Sequence, residues 1–332
     1  MAKLIVTGAL GHIGSYVVRE LGLQFPGAEI IMLDNLMTQR FPSLFNLPLS
    51  AKFRFIEADV TTFDLLPVFD GADAVIHLAA MTDAAGSFDN AELVEANNYQ
   101  ATVKVADACV ATGARLIALS STSVYGTQRE VVSEDCSEED LSPQSPYART
   151  KLREEQLVAN LHTKKGLKVV SCRFGTIFGV SPGMRFHTAV NKFCWQAVMG
   201  IPLTVWSTAY DQKRPYLDLV DAARAISLIL RTDLFDGRLY NVVSVNATVR
   251  QVIDTLREFV PELEIKLVDS QIMNQLSYEV SCERFANAGF RPCGDLRRGI
   301  GETVALLRTA NTPTIEYAGC PSQSSANHLV ST

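Results

Sequence analysis

Short β-branched and aliphatic runs alternate with longer stretches of helical periodicity through the first half of the chain. The runs at 4–7, 29–33, 53–57, 74–77, 115–120 and 168–173 read as strands, with helices between them. Ala74-Val75-Ile76 and Leu116-Ile117-Ala118-Leu119 are apolar without alternation, the pattern of strands covered on both faces. Strands joined by helical crossovers predict an α/β fold with a parallel, doubly wound sheet and right-handed connections. After about residue 175 this regularity stops. Residues 180–184 hold Pro and Gly, 188–199 predict a helix and 203–206 an extended stretch. Further helices are predicted at 218–230, 249–259 and 295–307, with a strand at 238–242. The pattern predicts a main domain, 1–175 plus 217–243, and a smaller discontinuous lobe, 176–216 plus 244–308. From 310 to 332 the residues turn small and polar, which predicts a mobile tail. There is no internal repeat.

With 332 residues, 47% of them hydrophobic, the chain can bury a large core in one domain or two joined ones. A net charge of -6 and the lack of any dense Lys/Arg cluster argue against nucleic acid as a partner. No apolar run approaches the roughly 20 residues of a membrane span, and the first strand follows Met1 so closely that no leader is expected. A cytoplasmic protein is predicted. Seven cysteines without a C-x-x-C pair suggest neither a zinc site nor a disulfide framework, so no metal is expected.

Chemistry enters with Gly8-Ala9-Leu10-Gly11-His12-Ile13-Gly14, between a predicted strand and a predicted helix. Glycines there let the backbone approach a dinucleotide pyrophosphate, while amides and the helix dipole stabilise the anion. Asp34 ends the second strand 20 residues after Gly14, where a carboxylate accepts from adenosine ribose hydroxyls and favours NAD over NADP. Arg40, six residues on, could instead pair with a 2′-phosphate. Asp59-Val60, after the third strand, is placed to face the adenine.

In Ser145-Pro146-Tyr147-Ala148-Arg149-Thr150-Lys151, a Tyr and a Lys four residues apart share one face of a helix that Pro146 helps to start. A phenol with a pKa near 10 is a poor base at neutral pH. Lowering it by about three units takes roughly 4 kcal/mol, much of which a neighbouring ammonium can supply. Ser120-Ser121-Thr122-Ser123 falls just past a predicted central strand, at the edge where ligands bind such sheets. A hydroxyl there can bond the substrate oxygen while Tyr147 takes or gives its proton.

Taken together these residues resemble the extended short-chain dehydrogenase/reductase family, a Rossmann-type group, and in particular its nucleotide-sugar epimerases and dehydratases. The resemblance extends to His77-Leu78-Ala79-Ala80, Asn98, Ser-x-x-Val-Tyr-Gly ending at Gly126, Arg173 to Gly179, Arg214-Pro215-Tyr216-Leu217-Asp218 and Tyr240-Asn241-Val242. It implies Ser121, Tyr147 and Lys151 as catalytic residues and NAD as the cofactor. The cofactor contacts expected are Gly8, Gly11, His12, Ile13, Gly14, Asp34, Asn35, Asp59, Val60, Leu78, Ala79, Ala80, Asn98, Tyr147 and Lys151. Thr122, Ser123, Thr176 and Arg214 are expected at a nucleotide-sugar substrate. Met81, Thr82, Arg185, His187, Asn191, Ser277 and Tyr278 are further candidates that packing would explain equally well.

Such enzymes oxidise a sugar hydroxyl, usually at C4, and differ in the fate of the ketone. Dehydratases place Asp-Glu before Val-Tyr-Gly and decarboxylases a Glu directly before the Val. Thr122 and Ser123 stand there instead, so epimerisation is expected. A dehydrogenase or reductase of a nucleotide sugar or smaller alcohol is the alternative, and a dinucleotide-sensing regulator a third. Thr176 departs from the family's usual Asn, and an Arg-x-x-Asp segment is absent around 273–277. The resemblance also implies a homodimer formed through helices at about 89–112 and 144–162.

Overall fold

The computed structural model describes residues 2–82, 91–126, 130–269 and 277–310. From β1 (Lys3–Thr7) the chain passes through α1 (His12–Gln24) to β2 (Glu29–Asp34) and β3 (Lys52–Glu57). After α2 (Leu66–Phe69) and β4 (Ala74–His77), α3 (Ala91–Thr112) leads to β5 (Arg115–Ser121), and β6 (Val131–Val132) precedes α4 (Pro146–Lys165). Then follow β7 (Val169–Phe174), β8 (Thr176–Phe178), α5 (Ala189–Val198), β9 (Leu203–Trp206), β10 (Lys213–Asp218), α6 (Leu219–Thr232) and β11 (Leu239–Val242). The chain continues with β12 (Val245–Thr248), α7 (Val249–Arg257), β13 (Ile265–Val268), β14 (Glu279–Val280), α8 (Glu283–Asn287) and α9 (Leu296–Arg308).

Seven strands form one sheet in the order β11-β7-β5-β4-β1-β2-β3, every neighbouring pair parallel. The chain winds outward through β2 and β3, then returns past β1 to build β4, β5, β7 and β11. The direction reverses between β1 and β4, and that crevice at the strands' C-terminal ends is where such sheets bind ligands. Strand alternation divides the apolar residues between two cores. Val6, Ile30, Met32 and Ile76 meet Val17, Val18 and Leu21 of α1 with Ala222 and Ile226 of α6. Ile5, Ile31, Leu33 and Val75 meet Ala101 and Val105 of α3 with Val158 of α4. The unbroken apolar runs in the sequence are therefore strands with a helix layer on each face.

A third core, around Phe178, Phe193, Leu203, Val205, Ile253, Leu256 and Ile300, belongs to the irregular second half. It holds a three-stranded sheet, β12-β10-β8, and the β13-β9 pair. Of these only 203–206 was expected to be extended. Strand β10 reads poorly as a strand because Pro215, which cannot donate to a ladder, lies in its middle opposite Asn246. Helix α4 starts at Pro146, as expected, and runs three residues beyond the expected end near 162. Ser145 Oγ accepts from Ala148 N at 3.1 Å and Pro146 opens the helix, while Gly166, at φ 70°, closes it. Beyond residue 310, the expected mobile tail lies outside the described residues, as does the segment 270–276. No described helix is long and apolar enough to cross a membrane.

Candidate active site

The glycine loop joins β1 to α1. Gly8 has φ +65°, and a Cβ there would stand 2.6 Å from Ala79 N; a Cβ on Gly14 would stand 2.2 Å from Gly8 O. Both positions exclude side chains, leaving a backbone cradle in front of the first-turn amides of α1, which have no partner within the helix. Beside it Asp34 accepts from Leu10 N at 3.0 Å and Leu36 N at 2.9 Å. The carboxylate thus ties the loop after β1 to the loop after β2. The charge of Asp34 acts on Arg40, whose guanidinium burial pulls downward, so the two groups share one neighbourhood. Asn35 Nδ2 donates to Asp59 Oδ2 at 3.2 Å, and Asp59 also accepts from Thr61 N and Oγ1. Those hydrogen bonds hold the Asp59 carboxyl below the ordinary range, while Val60 is buried beside it.

A segment that the sequence did not single out closes over this loop. His12 is buried, and burial lowers its pKa to about 4. The neutral ring therefore donates from Nε2 to Gly179 O at 2.9 Å. Ser181 Oγ donates to His12 O at 2.9 Å and Gly183 N to Ser15 Oγ at 2.9 Å. A Cβ on Gly183 would stand 2.2 Å from Leu10 O. The second half of the chain is thus pinned directly to the glycine loop.

At the end of β4, burial lowers His77 to about 3, so this ring too is neutral. Thr7 Oγ1 accepts from Leu78 N at 3.2 Å and Ala79 N at 3.3 Å. Its proton then goes to His77 Nδ1 at 2.8 Å, and Nε2 donates to Thr102 Oγ1 at 3.2 Å. Asn98 holds the next residues by accepting from Met81 N at 2.8 Å and donating to Met81 O at 2.9 Å. Leu78, Ala79 and Ala80 are accordingly fixed by polar groups beneath them.

Ser121 ends β5. Its Oγ accepts from Ser123 N at 3.2 Å and from Ser123 Oγ at 2.9 Å, which leaves its own proton for a third group. Thr122 is 4% exposed and its hydroxyl lies 3.4 Å from Phe174 O, its recorded acceptor. That side chain thus lies under the strand end. Tyr278 Oη donates to Thr122 O at 3.1 Å, and the Arg214 guanidinium lies 6.0 Å from the Tyr278 ring. Arg214 Nη2 also donates to Gln212 Oε1 at 2.7 Å. Thr176 pairs with Tyr216 across β8 and β10.

Helix α4 packs against the turn Thr122–Val124. It carries Tyr147 and Lys151, whose Nζ lies 5.9 Å from the Tyr147 ring centroid. The expectation that Lys151 brings the phenol down is outweighed here. Burial pushes Tyr147 up and Glu154 adds to this, while the Lys151 and Arg185 cations oppose it. Arg185 donates to Thr82 Oγ1, so it stands at the same site. Sequence reasoning had passed over Glu154 and Glu155, yet both are buried one turn beyond Lys151.

A seven-stranded parallel sheet with its switch point between β1 and β4, and a glycine-rich turn from β1 into α1, define a Rossmann-type fold. The profile of the NAD dependent epimerase/dehydratase family matches residues 4–242, and the chain belongs to that family. An uncharacterized UDP-glucose epimerase of Bacillus subtilis is 31% identical over 266 residues, covering 77% of this chain and 81% of that protein. A trifunctional UDP-glucose 4,6-dehydratase/UDP-4-keto-6-deoxy-D-glucose 3,5-epimerase/UDP-4-keto-L-rhamnose-reductase of Arabidopsis thaliana is 29% identical over 91% of this chain. Only 46% of that protein is covered, so this chain spans about half its length. A UDP-glucuronic acid 4-epimerase from Bacillus cereus, in complex with UDP-glucuronic acid and NAD, superposes with a TM-score of 0.83 at 25% identity. The match covers 93% of this chain and 99% of that one.

Proposed function

We propose that this chain is an NAD-dependent nucleotide-sugar epimerase acting at C4 of the sugar. The observation that carries the reading is that α4, with Lys151 Nζ 5.9 Å from the Tyr147 ring, packs against the turn Thr122–Val124 that directly follows Ser121 at the end of β5. Gly8, Gly11, His12, Ile13 and Gly14 would hold the pyrophosphate, Asp34 and Asn35 the adenosine ribose, and Asp59 and Val60 the adenine. Leu78, Ala79, Ala80 and Asn98 would line its path toward Tyr147 and Lys151. When bound, NAD would supply the acceptor for the C4 hydride, the donor that returns it to the other face of the ketone, and the positive charge of the oxidised nicotinamide. Tyr147 takes the proton of the sugar hydroxyl, Ser121 donates to the same oxygen, and Lys151 steadies the phenolate. After the sugar ketone turns over, Tyr147 returns the proton.

In this reading the lobe around the third core, 176–216 plus 244–308, binds the nucleotide sugar through Thr176 and Arg214. Ser123 completes the sugar site and Thr122 supports it from beneath. UDP-glucuronic acid, the ligand of the Bacillus cereus epimerase, is one nucleotide sugar to test against this reading. The six described cysteines are free thiols, in keeping with a cytoplasmic location. In this reading a homodimer would form through α3 and α4, where Leu93 stands 58% exposed.

Incubating the protein and NAD with UDP-glucuronate, UDP-glucose and UDP-N-acetylglucosamine tests the assignment by chromatography with mass detection. The expected result is a new peak of unchanged mass without accumulating NADH. Loss of two hydrogens with NADH appearing would indicate the dehydrogenase alternative. Loss of water would overturn the argument from Thr122 and Ser123.

A further inference from the structure

The polar interior behind the strand ends holds two cations and two carboxylates, contributed by α4 and β7. Arg173 and Glu155 form a forked pair, Nε to Oε1 at 2.8 Å and Nη2 to Oε2 at 2.6 Å. Glu155 also accepts from Ser120 Oγ. Its oxygens are therefore occupied, and the Lys151 ammonium is bonded to the other acid, Glu154, at 2.8 Å. Lys151 and Glu154 are each only 5% exposed. Glu154 Oε1 has no hydrogen-bond partner among the described residues, and the side chain lines a small cavity, with room for about one water, whose wall combines the apolar Ala118, Leu119 and Val158 with polar groups that include Thr102 and Ser120.

A buried lysine tends to lose its proton, because burial destabilises the ammonium and leaves the amine untouched. The lysine of a Tyr/Lys pair has to remain charged to stabilise a phenolate. We propose that Glu154 is the counter-ion that keeps the Lys151 ammonium charged and in place, a positioning residue for the proton transfer at Tyr147. The inference rests on the catalytic reading of Tyr147 and Lys151 given above. Burial alone would pull Lys151 down; Glu154, Tyr147 and Glu155 offset this and hold it above its ordinary value. Among the described residues, the other charged or titratable groups acting on the cluster are His77 from β4, which is neutral, Arg173 from β7, the Tyr125 phenol against Arg173, and Arg185 from the segment after β8. None of these is an anion that could replace Glu154.

Removing a negative charge from a coupled cluster lowers the proton affinity of every group in it. Glu154→Gln, nearly isosteric, is therefore expected to move both limbs of the pH–rate profile to the acid side by about one unit. A second readout needs no sugar substrate: NAD affinity of the full-length protein measured from pH 6 to 10, with Lys151→Met as the pH-insensitive reference. In the Glu154→Gln protein affinity should fall away about one pH unit earlier than in the wild type, and Glu154→Asp should restore most of the difference. An NAD profile that shifts while no nucleotide sugar turns over would uphold Glu154 and reject the epimerase reading. A lowered Tm with both midpoints unmoved would mean that Glu154 is structural only and would overturn the inference.

Discussion

The places of Tyr147, Lys151 and the glycines in the fold were legible in the sequence because they follow from short spacings, four residues along one helix or three along a tight loop. What lies beneath them was not legible. Nothing in a run of two glutamates says that one will pair with Arg173 and the other with Lys151; that is settled by strand β7 passing behind α4. Thr122 and Ser123 are adjacent hydroxyls in a polar run, yet the turn Thr122–Val124 sends one to the end of β7 and the other onto Ser121. For Tyr147 the expected consequence of its position is sharp. Tyr147→Phe deletes the hydroxyl and keeps the ring, so turnover should fall by 100-fold to 10,000-fold, the usual worth of a general acid–base group. NAD affinity, followed by calorimetry, should change by less than threefold. Turnover that survives the substitution would remove Tyr147 from the mechanism.

At the scale of elements, periodicity recovered the parallel strands and most helices because each buries a broad, regular face against a large sheet. The small strands β8, β10 and β12 had no such face, and Pro215 argued against the middle one. The contact between the two halves was equally hidden, since the stretch 179–185 is ordinary loop composition until the structure lays it across α1. Gly183 is the tightest point of that contact. Gly183→Ala would drive a Cβ against the Leu10 and Gly11 carbonyls, backbone atoms of the glycine loop itself, which must then move apart. Displacing the phosphate cradle should cost NAD affinity at least tenfold, equivalent to about 1.4 kcal/mol, with the far-UV circular dichroism unchanged. Equal NAD affinity in the two proteins would show that the loop and the segment over it are not coupled.

For the whole molecule, the two buried imidazoles connect the cofactor side of the fold to its acid stability. His12 joins the glycine loop to the segment after β8, and His77 joins β1, β4 and α3. Burial, the largest influence on each, depresses their pKa values from 6.5 to about 4 and about 3. Both rings are therefore neutral when folded. Below pH 6.5 the unfolded chain binds protons that the folded chain refuses, so the unfolded state gains stability as pH falls. The contribution of the pair is fully present above pH 6.5. It declines as pH falls toward about 4 for His12 and about 3 for His77. Above the ordinary carboxylate range, the proton uptake on unfolding should rise from about one at pH 6.5 to about two near pH 5, one for each ring. Urea denaturation at half-unit intervals from pH 8 to 5 measures this directly. Stability should be nearly flat down to pH 7 and then fall with a steepening slope, and His12→Asn should remove about half of that slope. A flat profile down to pH 5 would mean that these rings take up protons inside the folded protein, contrary to the neutral hydrogen bonds that tie the glycine loop to the rest of the chain.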